Sequence, residues 1–249
     1  KEKLVMAKIR FGYKEIDESE KPSEVNTVFT SVSNKYDVMN DIMSFGLHRF
    51  WKKQFVRLCD IKSKKKVLDI ACGTGDIALE LIKQKPSLNM TCLDPNAEMI
   101  EICKQKFINK GIINVDYQIK GIEEFKPSNK QFDLITVTFG FRNFTNHKKA
   151  LQNIIKLLEP GGLFLIMDFK KPRNQLYSKL FKFYTLNVIP RIGKVIAKDE
   201  SSYRYLGESI QTYYSPDEIK DMLDEAGFSN TEIINLPEDV ASIHIGRKA

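Results

Sequence analysis

The chain is short of the residues that build metal centres and disulfide frameworks. Its 249 residues include four cysteines and three histidines. Cys59, Cys72, Cys92 and Cys103 form no C-x-x-C pair, so their spacing offers neither a zinc ligand set nor a disulfide scaffold. They read as four reduced, mostly buried thiols in a reducing compartment. Long apolar runs are missing as well. None approaches the roughly 20 residues that span a bilayer, so an integral membrane protein is not expected. No internal repeat or low-complexity stretch occurs, which sets aside repeat architectures. Position 1 is Lys1 rather than Met, so the chain reads as processed or trimmed and the lack of a targeting peptide carries no weight.

What is present is ordinary for a globular protein: 42% hydrophobic and 29% charged residues. The length suits one large domain, or a domain with a small lid, with a real core. The formal net charge is +7. Its distribution is uneven. Lys170, Lys171, Arg173, Lys179, Lys182, Arg191, Lys194 and Lys198 fall in a stretch with no Asp or Glu, so that stretch carries +8 and the remainder sums to −1. One local basic patch points to an anionic surface rather than to a generally cationic protein.

Residues 1–22 are mixed and charged and read as an arm ending at Pro22. From Glu24, Val25, Val28, Phe29, Val32 and Tyr36 recur at helical spacing, and a shorter helix carries Phe50, Trp51, Phe55 and Leu58. Then strands and helices alternate. Strands are expected at Lys66–Ile70, Met90–Asp94, Asn114–Gln118, Phe132–Thr138 and Leu163–Met167. Helices are expected between them, with Asn96 as one N-cap and Asn146 opening another. That alternation predicts a doubly wound α/β domain with a mostly parallel sheet covered on both faces. Ser215-Pro216-Asp217-Glu218 combines an N-cap, a helix-opening proline and a capping-box acid. Two antiparallel strands, Phe228–Ile234 and Ala241–Ile245, are expected to close the sheet. The chain thus divides into an arm, 1–23, and a main domain, 24–249, with a helical cap at 24–62 and a helical lid at 170–214.

The turn after the first parallel strand reads Asp69-Ile70-Ala71-Cys72-Gly73-Thr74-Gly75. Its glycines let backbone approach a ligand, and the helix beyond offers free N–H groups to an anion. Asp94 ends the next strand, where an acid can accept both hydroxyls of a ribose. The pattern also fits a nicotinamide dinucleotide or a purely structural turn. Two features favour S-adenosylmethionine. Asp69 places an anion at the strand end, which suits a cationic amino acid better than a pyrophosphate. The Leu158-Glu159-Pro160-Gly161-Gly162 stop before a strand also resembles the corresponding region of methyltransferases.

Longer stretches carry a more specific likeness. Residues 28–51 read VFTSVSNKYDVMNDIMSFGLHRFW, and they are followed by DIACGTGDIA (69–78), TFGFRNF (138–144), LEPGGLFLIMDF (158–169) and YLGESI (205–210). Together they resemble the ubiquinone/menaquinone-biosynthesis C-methyltransferases, in the right order over most of the chain. Phe11-Gly12 and Glu20-Lys21 look like the mitochondrial and alphaproteobacterial ubiquinone branch. The resemblance implies a Rossmann-like class I fold and contacts to S-adenosylmethionine from Thr74, Asp94 and Thr138, with Tyr36 closing over its amino-acid end. The adenine position, usually Asp or Asn followed by Ala, falls at Lys120-Gly121 and departs from the pattern. Gly207 departs from the bulkier residue common in the last motif. The cofactor set expected is therefore Tyr36, Asp69, Ala71, Gly73, Thr74, Gly75, Asp94, Lys120, Gly121 and Thr138, with no metal.

Methylating a ring carbon needs an electron-rich ring, in-line positioning, water exclusion and a stabilised phenolate. Arg142 is the expected electrostatic partner of that phenolate, with pairing to an acid as its alternative. His48 reads equally as a general base and as a helix-capping residue packed beside Trp51. Tyr205 and Glu208 are expected along the quinol pocket, and Asp37, on the N-terminal helix, reads equally as functional and as a helix-surface acid. His147 is expected to be solvated and His244 structural.

Leu176 to Ile189 mixes aromatic and aliphatic residues with Lys179 and Lys182, which suits a lid resting on anionic lipid; the alternative is core or dimer packing. The implied partners are a polyprenyl quinol, a membrane surface, a second copy of the chain and a quinone-biosynthesis complex, with no nucleic acid. The implied place is the matrix side of the mitochondrial inner membrane, or else a bacterial cytoplasm. Competing readings are a demethylmenaquinol, sterol, small-phenol or RNA methyltransferase, and a non-catalytic scaffold.

Overall fold

The computed structural model describes residues 8–127 and 131–249. Within them a two-stranded hairpin, β1 (Lys8–Phe11) and β2 (Lys14–Asp17), precedes a helical cap. The cap comprises α1 (Lys21–Val32), α2 (Tyr36–Ser44) and α3 (Leu47–Leu58). The α/β core follows: β3 (Lys66–Ile70), α4 (Asp76–Gln84), β4 (Asn89–Asp94), α5 (Ala97–Ile108), β5 (Val115–Ile119), β6 (Phe132–Thr138), α6 (His147–Leu157) and β7 (Leu158–Phe169). Next come α7 (Gln175–Phe183), a π-helical turn at Tyr184–Val188, α8 (Ile189–Ile196) and α9 (Glu200–Thr212). The chain ends with α10 (Pro216–Glu225), β8 (Phe228–Asn235) and β9 (Ala241–Lys248).

The main sheet runs in the order β5-β4-β3-β6-β7-β9-β8. Pairings from β5 through β7 are parallel, while β9 lies antiparallel to both β7 and β8. Strand order reverses at β3, so helices on either side leave a crevice beyond the carboxyl ends of β3 and its neighbours. The expected doubly wound class is the observed one. Apolar runs in these strands are buried on both faces, as parallel strands under helices require. Expected caps are in place: Asn96 accepts from the Met99 N–H, Asn146 from the Lys149 N–H, and Ser215 with Glu218 closes a full capping box.

Several boundaries move, each for a local reason. The single helix expected from Glu24 through Tyr36 starts at Lys21 and breaks into α1 and α2 across a 3₁₀ turn at Ser33–Lys35. The Ser33 hydroxyl bonds back to the Thr30 carbonyl there, competing with the helical ladder. The strand expected at Leu163–Met167 starts at Leu158, because Pro160-Gly161-Gly162 forms an irregularity inside the strand rather than a loop. The segment read as an arm contains the hairpin, docked on α9. Phe11 stacks on Tyr205 at 4.1 Å, and the Tyr13 N–H donates to Glu208 at 3.1 Å. Glu208, expected to line a quinol pocket, therefore holds the hairpin turn instead.

Candidate active site

The turn between β3 and α4 is shaped by three positive φ values: Ala71 at 51°, Gly73 at 53° and Gly75 at 81°. Ala71 in the left-handed region is unusual for a residue with a side chain. It touches the loop beyond β6, since a Cβ on Gly140 would lie 2.5 Å from that of Ala71. Gly75 has no room for a side chain, because a Cβ there would sit 2.4 Å from Cys103 Sγ.

A deep cavity opens beside this turn, at the carboxyl ends of β3 and β6. Asp69, Ala71, Gly73, Thr74 and Thr138 line it from the sheet, and Tyr36 and His48 from the cap. Arg142 and Tyr205 complete the set. Nine of the predicted site residues therefore meet at one cavity. Gly75, Asp94, Lys120 and Gly121 are not on its wall. Gly75 is a packing glycine. Asp94 is buried beside the cavity, and its two oxygens already accept the Gly73 and Asn96 N–H groups, both at 2.9 Å. Lys120 is exposed just past β5, and a Cβ on Gly121 would face Glu123 rather than the cavity.

The electrostatics follow from burial. Burial raises the Asp69 carboxyl to about 7, although it accepts the Thr136 hydroxyl at 2.7 Å. Asp94 is raised to about 6 by the same cause, against its two backbone hydrogen bonds. Thr138 Oγ1 is buried without a hydrogen-bond partner. An orphaned hydroxyl on a cavity wall is the mark of a ligand contact. Beside it the buried Asp69 offers a carboxyl to an ammonium group. The donor set fits S-adenosylmethionine.

Sequence reasoning missed the polar bridge at one side of this cavity. Thr74 Oγ1 donates to Asp37 at 2.7 Å, and Lys106 Nζ donates to Asp37, Asp76 and Thr74. Lys52 Nζ reaches Asp76 at 2.6 Å. Burial alone would raise Asp76, but Lys52 and Lys106 hold it far below the usual carboxylate range. An acid at the first position of α4 was a visible signal. The two lysines, distant in sequence, gave none.

On the other side the walls are aromatic. Trp51, Phe139 and Phe169 cluster, with Phe139 and Phe169 at 4.6 Å between ring centres. Arg142 is not a free cation. Its Nη1 donates to Asp168 at 2.7 Å and to the Phe139 carbonyl, its Nε donates to Ser209, and its guanidinium carbon lies 5.4 Å from the Phe169 ring centre. Tyr205 donates to Asn143 at 3.0 Å, and burial raises its phenol to about 12.

Burial, helped by Lys52, lowers His48 to about 4, so its imidazole is neutral at pH 7. His147, expected to be solvated, is packed against Phe141 and Tyr214 and donates to the Phe141 carbonyl at 2.9 Å. A short polar loop hid that packing. His244 is buried and donates to the Pro216 carbonyl, a structural contact as expected.

The cysteines bring a further correction. Spacing offered no ligand cluster, yet the Sγ atoms of Cys72, Cys92 and Cys103 all lie within 4.8 Å of one another.

Solved structures that share this architecture include proteins titled as methyltransferases. PigF with SAH matches at a TM-score of 0.61 and 18% identity, covering 92% of this chain and 69% of that one. Human N-acetylserotonin methyltransferase in complex with SAM matches at 0.58 and 18%, covering 89% and 59%. At that identity they establish the fold. The fold, the glycine turn and the cavity beside it define a class I S-adenosylmethionine-dependent methyltransferase.

Closer relatives narrow the class. The model of the ubiE/COQ5 methyltransferase family matches residues 15–248. The chain is 41% identical over 242 residues to the ubiquinone/menaquinone biosynthesis C-methyltransferase UbiE of Hydrogenovibrio crunogenus, covering 96% of this chain and 95% of that protein. It is 40% identical over 248 residues to that of Rickettsia bellii, covering 98% and 100%. The chain belongs to the ubiE/COQ5 methyltransferase family. That membership removes the nicotinamide and scaffold readings.

Proposed function

We propose that this methyltransferase alkylates a ring carbon of a polyprenyl benzoquinol, of the 2-methoxy-6-polyprenyl-1,4-benzoquinol type, on the route to ubiquinone. The observation that carries the reading is the cavity itself. It joins the glycine turn to an apolar chamber walled by Trp51, Phe139, Phe169 and Phe181, with Arg142, His48 and Tyr205 as its polar side. An aromatic ring with polar oxygens and a long apolar tail matches that division.

S-adenosylmethionine, when bound, supplies an electrophilic methyl group on a sulfonium. Asp69, Gly73, Thr74, Thr138 and Tyr36 are the residues to hold it, with Asp94 supporting the turn through Gly73. Arg142, locked by Asp168 and the Phe139 carbonyl, sets a fixed positive charge where a quinol oxygen gains negative charge. Its orientation costs nothing during the reaction, because Asp168 is already in place. The carbon that gains the methyl loses a proton. His48 and Asp69 both line the cavity, and burial, which lowers His48 to about 4 and raises Asp69 to about 7, leaves His48 the weaker proton acceptor of the two. Tyr205, a phenol raised to about 12, stays protonated and acts as a hydrogen-bonding wall.

The substrate tail stays in lipid, so the cavity must reach a membrane. Leu176, Leu180 and Phe183, 69%, 59% and 58% exposed, fall on one face of α7 with Lys179 and Lys182 interspersed. Phe45, 82% exposed, joins them through its stack on Tyr184. Three cations of the basic stretch are already paired: Lys170 and Arg173 with Asp239, Lys194 with Glu200. Lys179 and Lys182 make no ion pair among the described residues and remain for anionic lipid. No helix among the described residues is long and apolar enough to cross a membrane. Docking at this face suits the matrix side of the mitochondrial inner membrane. A bacterial cytoplasmic face is equally compatible, and the relatives named above are bacterial.

The test is methyl transfer to short-tailed benzoquinol and naphthoquinol acceptors, each reduced and oxidised. Faster transfer to the reduced benzoquinol supports the reading. Preference for the naphthoquinol moves the enzyme to the menaquinone route, and equal rates on oxidised rings remove the phenolate argument.

A further inference from the structure

Three elements deliver one sulfur each to the floor beneath the glycine turn. Cys72 lies in the turn itself, Cys92 in β4 and Cys103 in α5. Their Sγ atoms lie within 4.8 Å of one another. The group is nearly sealed: Cys92 and Cys103 are 0% exposed, and Cys72 is 9% exposed where it lines the cavity. No His, Asp or Glu of the described residues joins it as a fourth ligand. Cys59, the fourth cysteine, is buried elsewhere and outside the group.

Charge and ligand count select among thiophilic ions. Three thiolates around a divalent zinc-type ion leave a net charge of −1 with an unfilled fourth position, and burying an uncompensated charge is costly. A monovalent copper-type ion leaves −2. A trivalent arsenic centre with three sulfurs is neutral, and its lone pair fills the fourth direction. We propose that Cys72, Cys92 and Cys103 form a three-sulfur capture site for trivalent arsenic, entered from the cofactor cavity past Cys72.

The chemistry balances without an oxidant. Arsenous acid loses its three hydroxyls, three S–H bonds and three As–O bonds break, three As–S bonds form, and three waters leave. Thiol ligation by a soft centre accounts for the affinity. Cys72 immediately precedes Gly73, so an arsenic held there fixes the turn that cradles the cofactor. Arsenic and cofactor therefore antagonise one another, and by linkage each weakens the other.

The experiment is native mass spectrometry of the reduced full-length chain titrated with arsenite. One arsenic per chain, with a mass gain matching loss of three protons, is the expected species. Cys103→Ser should weaken capture by roughly 100-fold, since two sulfurs replace three, and Cys59→Ser should leave it unchanged. Excess S-adenosylhomocysteine should slow uptake, and zinc should bind more weakly than arsenite. Absence of a three-proton-loss adduct on the wild-type chain overturns the proposal, whether or not the serine variant folds. Tighter binding of zinc overturns the charge argument. Methyl transfer assayed on arsenic-free enzyme tests the quinol reading separately.

Discussion

The two walls of the cavity are built on opposite terms. The sheet wall is made of β3, β4, β6 and β7, whose side chains are almost all buried; Asp69 and Asp94 are hydrogen-bonded there, while the Thr138 hydroxyl is left open to the cavity. The lid wall is made of α7, the π-turn, α8 and α9, and α7 buries none of its own residues. It is held by directional contacts such as Tyr184 to the Met43 carbonyl and Ser31 to Asp199. Burial is thus concentrated on the cofactor side, while α7 leaves Leu176, Leu180 and Phe183 exposed. A methyl donor common to many enzymes needs a rigid site, whereas the lipid-tailed acceptor proposed above would need an openable one.

Breaking the Arg142–Asp168 pair should show the largest effect. Both side chains are nearly fully buried, 6% and 2% exposed. Arg142→Ala leaves Asp168 as an unpaired buried charge, an expected loss of about 3–5 kcal/mol in urea unfolding. Turnover lost through unfolding would then mimic a catalytic defect, so Arg142→Lys is the informative variant. It should keep the fold and cofactor binding while lowering the methyl-transfer rate, because an ammonium cannot reproduce the forked contacts. Full activity in Arg142→Lys would remove the fixed-charge argument.

Gly75→Ala comes next. The new methyl would meet Cys103 Sγ at 2.4 Å and Phe107 at 2.7 Å in a backbone with φ +81°. Overpacking and strain together should cost about 2–4 kcal/mol by chemical denaturation. A near-neutral result would show that the sheet wall is more yielding than its packing indicates.

The pH dependence of cofactor binding is smaller and has a definite sign. Burial raises Asp69 to about 7, so below that pH an ammonium-bearing ligand must displace a proton. Affinity should fall by about tenfold per pH unit below 7 and level off above it. Calorimetry in buffers of different ionisation enthalpy should register the proton released. For the ligand-free chain the sign reverses. The folded value is raised above that of an ordinary aspartate, so the stability contribution of Asp69 is full at acid pH and lost as pH rises through about 7.

On the lid wall the expected stability change is the smallest. Replacing Leu176, Leu180 and Phe183 together with Ser should move unfolding by no more than about 0.5 kcal/mol per site. It should nonetheless abolish sedimentation with anionic vesicles at low salt. Unchanged vesicle binding, or equal binding to neutral vesicles, would break the contrast between the walls.

Much of the sheet wall could be read in advance, since local patterns specify it. Alternating apolar runs and caps located the parallel strands, and β6 matches its expected span of Phe132–Thr138. The glycine turn placed Asp69, Gly73 and Thr74 on the cavity because they are contiguous with β3. The lid wall was legible as a helical, aromatic, basic segment but not in its pairings. Gly207, an oddity in the motif, proves to be the point where α9 meets the π-turn: a Cβ there would lie 2.3 Å from the Thr185 carbonyl oxygen. His147 was misjudged for a similar reason, as Phe141 and Tyr214 approach it from other segments.

Sequence alone therefore determined the fold class, the family and the cofactor turn, all of which depend on neighbours in the chain or on long ordered motifs. Tertiary structure alone decided what distant charges and sulfurs do. It joined Lys52 and Lys106 to Asp76, matched Arg142 to Asp168 and gathered three cysteines under one loop. Such groupings depend on burial and on angstrom-scale approach between segments, quantities that periodicity and spacing do not encode.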